Sequence, residues 1–446
     1  MESNLPQYEA YKTLRNPILN NIPSHWIFTK LRYVTKILTD YTANGSFKSL
    51  AENVTYLDSP NYARLIRLTD LRTDLKNNNG VYVNEDSYRF LRKSSLHGGE
   101  FLIANVGAYS GLVVQMPDVD YRATLGPNMM MAKFDNSKVE NKFMIYVANS
   151  EYVQSQFSLK ANASSAQPKL NKEDFRNIYF AMPPLEEQSE ISLFLNDKTS
   201  EIDSLIANKE KLIELLEEKR QAIITEAVTK GLNPDVKMKD SGVEWIGEIP
   251  EYWEVKKMKY LVSLRNHKVV DDEKLPYVGL ENIESKTGKY KPIIDLEEVS
   301  VEGTSNIFYS GDVLFGKLRP YLAKCYVPYF DGKSTTELLV LNVNQNLISN
   351  EYLQFVLLSD RYIQIINSST YGAKMPRTNW EFVSTLSVPL PDLRVQLEIV
   401  SSIKDKLQAV DELREKLKSQ NEKLKEYRQS LIYEVVTGKI DIREHI

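Results

Sequence analysis

The chain has 446 residues, a length that at roughly 100–200 residues per domain predicts two to four domains rather than one core. Hydrophobic residues at 42% and charged residues at 26% exclude a disordered, collagenous or disulfide-built chain, and the single Cys325 with four scattered histidines (His25, His97, His267, His445) excludes an internal disulfide and a Cys/His metal site. The net charge of −4 is local: residues 186–230 hold 11 acidic and 6 basic side chains, whereas 22–185 hold 19 basic and 15 acidic, so the globular parts are free to meet an anion.

The first segment, residues 1–185, opens on MESNLPQYEA, which has no basic region followed by an apolar stretch. No window of the chain approaches the ~18 apolar residues of a membrane span, and a reducing cytoplasm is the expected location. Ile22-Pro-Ser-His-Trp26 and Tyr33 recur at an offset of 227 as Ile249-Pro-Glu-Tyr-Trp253 and Tyr260. Arg67–Leu71 meets Gly279–Ile283, and Gly99–Leu102 meets Gly311–Leu314, both at offset 212; from Pro183–Gln188 against Pro391–Gln396 the offset becomes 208. A repeat of this length fixes the architecture as variable domain, conserved helix, variable domain, conserved helix.

A helix is predicted over 186–230, with apolar residues at Ile191, Leu195, Ile202, Leu205, Leu212, Leu216 and Ile223. Proline precedes it at Pro183-Pro184 and glycine follows at Gly231. Residues 231–248 hold turn formers without periodicity and read as a linker. A second compact segment, 249–394, leads into a second helix over 395–437 in the same register, Ile399, Ile403, Val410, Leu413, Leu417, Leu424 and Leu431, and then a tail, 438–446. At roughly 1.5 Å per residue each helix is a rod of about 65 Å, which needs a partner; an antiparallel coiled coil is predicted, interrupted by Lys198, Lys209 and Lys219, with separate helices on separate domains as the alternative. The fold class is α+β: two α/β domains with short strands such as Phe101–Ala104 and Leu338–Val343 and helices such as Tyr352–Leu358, and two long helices, internally duplicated.

No glycine-rich cofactor loop, P-loop, Gly-x-Ser-x-Gly or catalytic triad spacing is present, which argues against intrinsic catalysis. Glycine-bearing loops instead carry basic, amide and aromatic residues: Lys317, Arg319, Tyr321 and Lys324 in Gly316–Lys324; Tyr371, Lys374, Arg377 and Asn379 in Tyr371–Trp380; Asn105 and Tyr109 in Asn105–Gly111; Gln167 and Lys169 in Asn162–Asn171. Arg and Lys grip guanine or phosphate, and Asn and Gln pair with adenine, so these are candidate DNA-binding residues; solvated turns, with Tyr321, Tyr371 and Trp380 in the core, are the alternative.

Met238-Lys-Asp-Ser-Gly-Val-Glu-Trp-Ile-Gly-Glu-Ile-Pro-Glu-Tyr-Trp253, the Lys317-Leu-Arg-Pro-Tyr321 loop, Pro183-Pro-Leu-Glu-Glu-Gln188 and the duplicated helices resemble the specificity subunit of type I restriction-modification systems. The first copy lacks both the Ser-Gly-Val-Glu-Trp lead and a Lys-Leu-Arg-Pro-Tyr loop. The resemblance implies a non-catalytic adaptor with two target-recognition domains, each reading half of an asymmetric bipartite double-stranded DNA target. It also implies two modification (methyltransferase) subunits carrying S-adenosylmethionine and adenine methylation, two ATP- and Mg-dependent restriction subunits, and no cofactor in this chain. A coiled-coil protein-interaction scaffold, or the recognition part of a different restriction-methylation enzyme, are the alternatives.

Overall fold

The computed structural model describes residues 6–73, 75, 79–162, 167–270, 275–292, 304–372 and 374–443. It divides into two units: Met1–Ala207 with Asn421–Ile446, and Asn208–Gln420. Residues 163–166 and 373, within two of the candidate loops, lie outside the described residues.

In the first unit a four-stranded antiparallel sheet is ordered Val113–Gln115, β1 (Phe101–Ala104), β2 (Met129–Phe134), Thr35–Asp40. β1 is buried throughout, which is why it reads as an unbroken apolar run. A five-stranded sheet lies in the same unit, with Ala63–Ile66 parallel to Ala123–Leu125. The second unit repeats the plan. Its main sheet is ordered Val262–Leu264, β4 (Leu338–Val343), β3 (Val313–Gly316), Cys325–Tyr326, and a smaller sheet pairs Tyr277–Val278 in parallel with Gly332–Ser334. Residues 231–250 add a strand pair, Met238–Asp240 with Glu248–Pro250, and bury Trp245 and Ile246 in this unit's core.

The two long helices are α1 (Leu185–Lys230) and α2 (Leu393–Val436). Both end in left-handed glycines, Gly231 at φ +78° and Gly438 at φ +71°. A Cβ at Gly231 would lie 3.2 Å from the Trp253 ring and one at Gly438 would lie 2.3 Å from Pro23, so each helix end is seated against a Pro-x-x-Trp start in its own unit. Past α2, Ile440 and Ile442 are buried in the first unit's core, and the Asp441 amide donates to the Pro6 carbonyl at 2.8 Å.

Within the first unit Leu195, Ile202 and Ile206 of α1 share a core with Leu424 and Leu431 of α2; within the second, Ile213 and Leu216 meet Val410 and Leu417. The pairing is therefore antiparallel. The inward register differs from the apolar one: Leu205, Leu212 and Leu413 are 49%, 42% and 42% exposed. The inner face of α2 runs Ile403, Leu407, Val410, Arg414, Leu417, Asn421, Leu424, Arg428, Leu431, so from Val410 onward every second layer turns polar and a purely apolar reading slips to neighbouring leucines. Among the predicted interruptions Lys209 faces inward, donating to Gln420 at 2.6 Å; Lys198 is half-exposed and donates to Glu201 on its own helix at 3.1 Å, and Lys219 is exposed.

One polar layer is duplicated. Arg220 pairs with Asp411 at 3.2 Å in the second unit, and Arg428 pairs with Asp203 at 2.9 Å in the first, both residues shifted by the repeat offset of 208. Arg220 is buried because the 284–289 turn covers it: its guanidinium donates to the carbonyls of Lys286 and Thr287, and Lys289 reaches Asp411 at 2.6 Å. Arg428 and Asp203 keep side-chain exposures of 31% and 54%.

Candidate nucleic-acid interface

In each unit the two candidate loops are joined to one another, and the joints are the same. In the second unit β3 runs into Lys317–Lys324. The Arg319 amide donates to the Pro376 carbonyl at 2.7 Å, the Thr378 amide to Lys317 at 3.0 Å, and Leu318 bridges Arg377. In the first, β1 runs into Asn105–Gly111. The Gly107 amide donates to Pro168 at 2.8 Å, the Leu170 amide to Asn105 at 2.9 Å, and Val106 bridges Lys169. A third strut is shared as well, from the Lys317 amide to the Glu337 carbonyl and from the Asn105 amide to the Asn128 carbonyl.

The backbone repeats in its least common feature. Arg319 and Ala323 hold φ of +51° and +45°, and their counterparts Gly107 and Gly111 hold +90° and +97°. The left-handed region favours glycine, so the first unit occupies it without strain, while the second places an arginine and an alanine there. Tyr321 and Tyr109 fall at the same loop position and are 44% and 45% exposed. Asn379 and Asn171 each cap the short helix that follows, accepting from the amides of Phe382 and Asp174.

The side chains differ where the backbone agrees. Position by position the first unit presents Asn105, Gly107, Tyr109, Asn128, Gln167 and Lys169, and the second presents Lys317, Arg319, Tyr321, Glu337, Met375 and Arg377. Constant geometry with variable donors and acceptors is what two readers of different sequences require.

The family model for the type I restriction modification DNA specificity domain matches residues 61–217. The type I restriction enzyme MjaVIII specificity subunit of Methanocaldococcus jannaschii is 24% identical over 384 residues, 82% of this chain and 82% of its own. The EcoDI specificity subunit of Escherichia coli is 22% identical over 293 residues, 62% of this chain and 65% of its own. A solved chain from a type I R-M system shares the fold at TM-score 0.68 and 13% identity, over 94% of this chain and 99% of that one. Over most of its length the chain is similar to type I restriction enzyme specificity subunits.

In this chain the predicted residues take unequal places. Lys317, Arg319, Tyr321, Tyr371 and Lys374 stand on the joined loops of the second unit, with Lys374 and Tyr371 exposed at the tip of a turn closed by Tyr371 and Arg377. Lys324 is half-buried and its ammonium donates to the Leu280 carbonyl at 2.6 Å; burial pulls its pKa below the usual lysine value. Asn379 has its side-chain oxygen committed to the cap. Trp380 packs against the core, whereas Tyr321 and Tyr371 do not. In the first unit Gln167 and Lys169 are exposed, Asn105 is half-buried with its side-chain oxygen unpartnered among the described residues, and the Arg72 guanidinium lies 4.4 Å from the Tyr109 ring centre.

Arg377 is held in a fork. Its Nε and Nη2 each donate to the Glu337 carboxylate at 3.1 Å, a pairing that keeps the guanidinium charged beyond its usual range. Glu337, Asn128 and Arg72 were not legible as site residues, because they lie far in sequence from the loops they join. Among the described residues no group of three His, Cys, Asp or Glu side chains is placed to hold a metal ion.

Proposed function

We propose that each joined loop pair reads one half of a bipartite duplex target, the first unit through Asn105, Tyr109, Gln167 and Lys169 and the second through Lys317, Arg319, Tyr321, Tyr371, Lys374 and Arg377. As a type I specificity subunit the chain confers the DNA sequence specificity of a complex with methyltransferase and restriction subunits. The observation that supports loop reading is the repeated backbone carrying different hydrogen-bonding groups. Different side chains imply different half-sites, and hence an asymmetric target.

The further reading is that the chain is itself non-catalytic and assembles with two modification and two restriction subunits in the cytoplasm. Those partners would supply S-adenosylmethionine, ATP and Mg, and the adenine methylation and DNA-cutting steps. The chain's own work is then positional: exposed lysines and arginines meet phosphates, and amide and guanidinium groups meet base edges.

The test is equilibrium binding of the chain with its modification subunits to a pool of duplexes over a salt series. A phosphate contact such as Lys374 should, on conversion to alanine, weaken all sequences alike and lower the log–log salt slope by about one. Arg319→Ala and Tyr321→Ala should alter the preferred sequence of one half only. Salt-insensitive binding with no preferred duplex would overturn the reading.

A further inference from the structure

Among the described charged side chains on the second unit's joined loops, Arg377 alone is clamped by a described carboxylate. Glu337 sits just before β4; its carbonyl accepts from the Lys317 amide at 3.0 Å, and its carboxylate takes both Nε and Nη2 of Arg377 at 3.1 Å. The Arg377 backbone is fixed on both sides, by the bridge to Leu318 and by two hydrogen bonds with Tyr371, at 3.0 and 3.2 Å. A guanidinium held along its Nε–Nη2 edge keeps Nη1–H and the outer Nη2–H pointing one way, side by side. That outer edge matches two adjacent acceptors.

Two ligands offer such a pair: the O6/N7 edge of guanine, and two oxygens of one phosphate. The carboxylate separates them. A phosphate brought to Arg377 would also approach the Glu337 anion, and the pair as a whole carries no net charge to attract it. A base edge is neutral and meets no such penalty. Among the described residues Lys317 and Lys374 carry no acidic partner, and they suit the phosphates better.

Resting on the loop-reading function above, we propose that Glu337 is a specificity-positioning residue that aims Arg377 at a guanine in the half-site of the second unit. The first unit has no such device: the counterparts are Asn128 and Lys169, and an ammonium cannot present two parallel N–H groups.

The experiment uses the complex with its modification subunits, a panel of duplexes with every base at each half-site position, and a salt series. Glu337→Gln should relax the preference for guanine at one position by about tenfold to a hundredfold, while total DNA affinity rises and the salt slope steepens by about one, because a freed arginine adds one cation. Arg377→Lys should relax the same position with the salt slope unchanged. A purely structural role for Glu337 would weaken binding to all duplexes and leave the preference intact, and that result would overturn the assignment. Relaxation of different positions by the two variants would overturn it as well. Arg319→Ala and Tyr321→Ala in the same panel separate the two levels: if they shift this half-site and Glu337→Gln does not, only the role of Glu337 fails, whereas if none shifts it, the loop-reading function itself fails.

Discussion

The duplicated Arg–Asp pair offers one interaction in two environments, so the cost of breaking it can be worked out from burial alone. Asp411→Ala strands Arg220, buried beneath the 284–289 turn, and removes the anion to which Lys289 donates at 2.6 Å. Removing one partner of a buried pair costs about 3–5 kcal/mol, and since Arg220 keeps the carbonyls of Lys286 and Thr287, a loss near ~3 kcal/mol is expected. Asp203→Ala breaks the counterpart at Arg428, where both partners are wet, and surface pairs contribute about 0–1 kcal/mol. Urea unfolding read by hydrogen exchange within each unit measures the two separately. The second unit should lose at least about 2 kcal/mol more from its substitution than the first unit does from its own. Equal losses, or a larger loss for Asp203→Ala, would show that burial by the turn does not set the strength of this layer.

Other outcomes follow from single contacts. Glu187 accepts from the Tyr8 hydroxyl at 2.6 Å and the Trp26 indole at 3.0 Å, and burial followed by that hydrogen bond drives the Tyr8 pKa upward. Glu187→Ala should cost the first unit about 2–5 kcal/mol by leaving two buried donors unmet, and Glu187→Gln less, as judged by exchange protection over residues 20–35. Arg319→Gly relieves a left-handed residue at a site where the first unit already uses Gly107, so thermal unfolding should show stability unchanged or raised by about 1 kcal/mol while DNA affinity falls. At Asp411 burial pushes the pKa up, but the Lys289 hydrogen bond and the charges of Arg220 and Lys289 outweigh it, and the folded value lies below the unfolded one. Its contribution is therefore complete above about pH 4 and lost as pH falls through the folded value, and Asp411→Asn should flatten the acid limb of the second unit's stability curve.

The repeat, the two long helices, their proline and glycine boundaries and the strands Phe101–Ala104 and Leu338–Val343 were all legible, because each is written in local pattern. The helix seam was not, since Arg414, Asn421 and Arg428 occupy inward positions that a hydrophobic reading skips. Nor was the equivalence of the two sites. Asn105-Val-Gly-Ala-Tyr109 and Lys317-Leu-Arg-Pro-Tyr321 share a single residue, the tyrosine, and what the two loops have in common is a backbone path with left-handed residues at Gly107 and Gly111 in one and at Arg319 and Ala323 in the other. Glu337 escaped for a different reason: a lone glutamate before a strand carries no signal until the fold brings Arg377 to it across 40 residues of chain.

The central claim is that the two joined loop pairs read independently, and the methylation map of cells holding this chain and its modification subunits tests it most directly. The decisive variant carries second-unit residues on the first-unit frame: Asn105→Lys, Gly107→Arg, Asn128→Glu, Gln167→Met and Lys169→Arg. The parent map should be a single asymmetric two-part sequence, and the variant map should keep the second part and the spacing while the first part changes. A variant that methylates the parent sequence unchanged, or one in which both parts change together, would contradict the account.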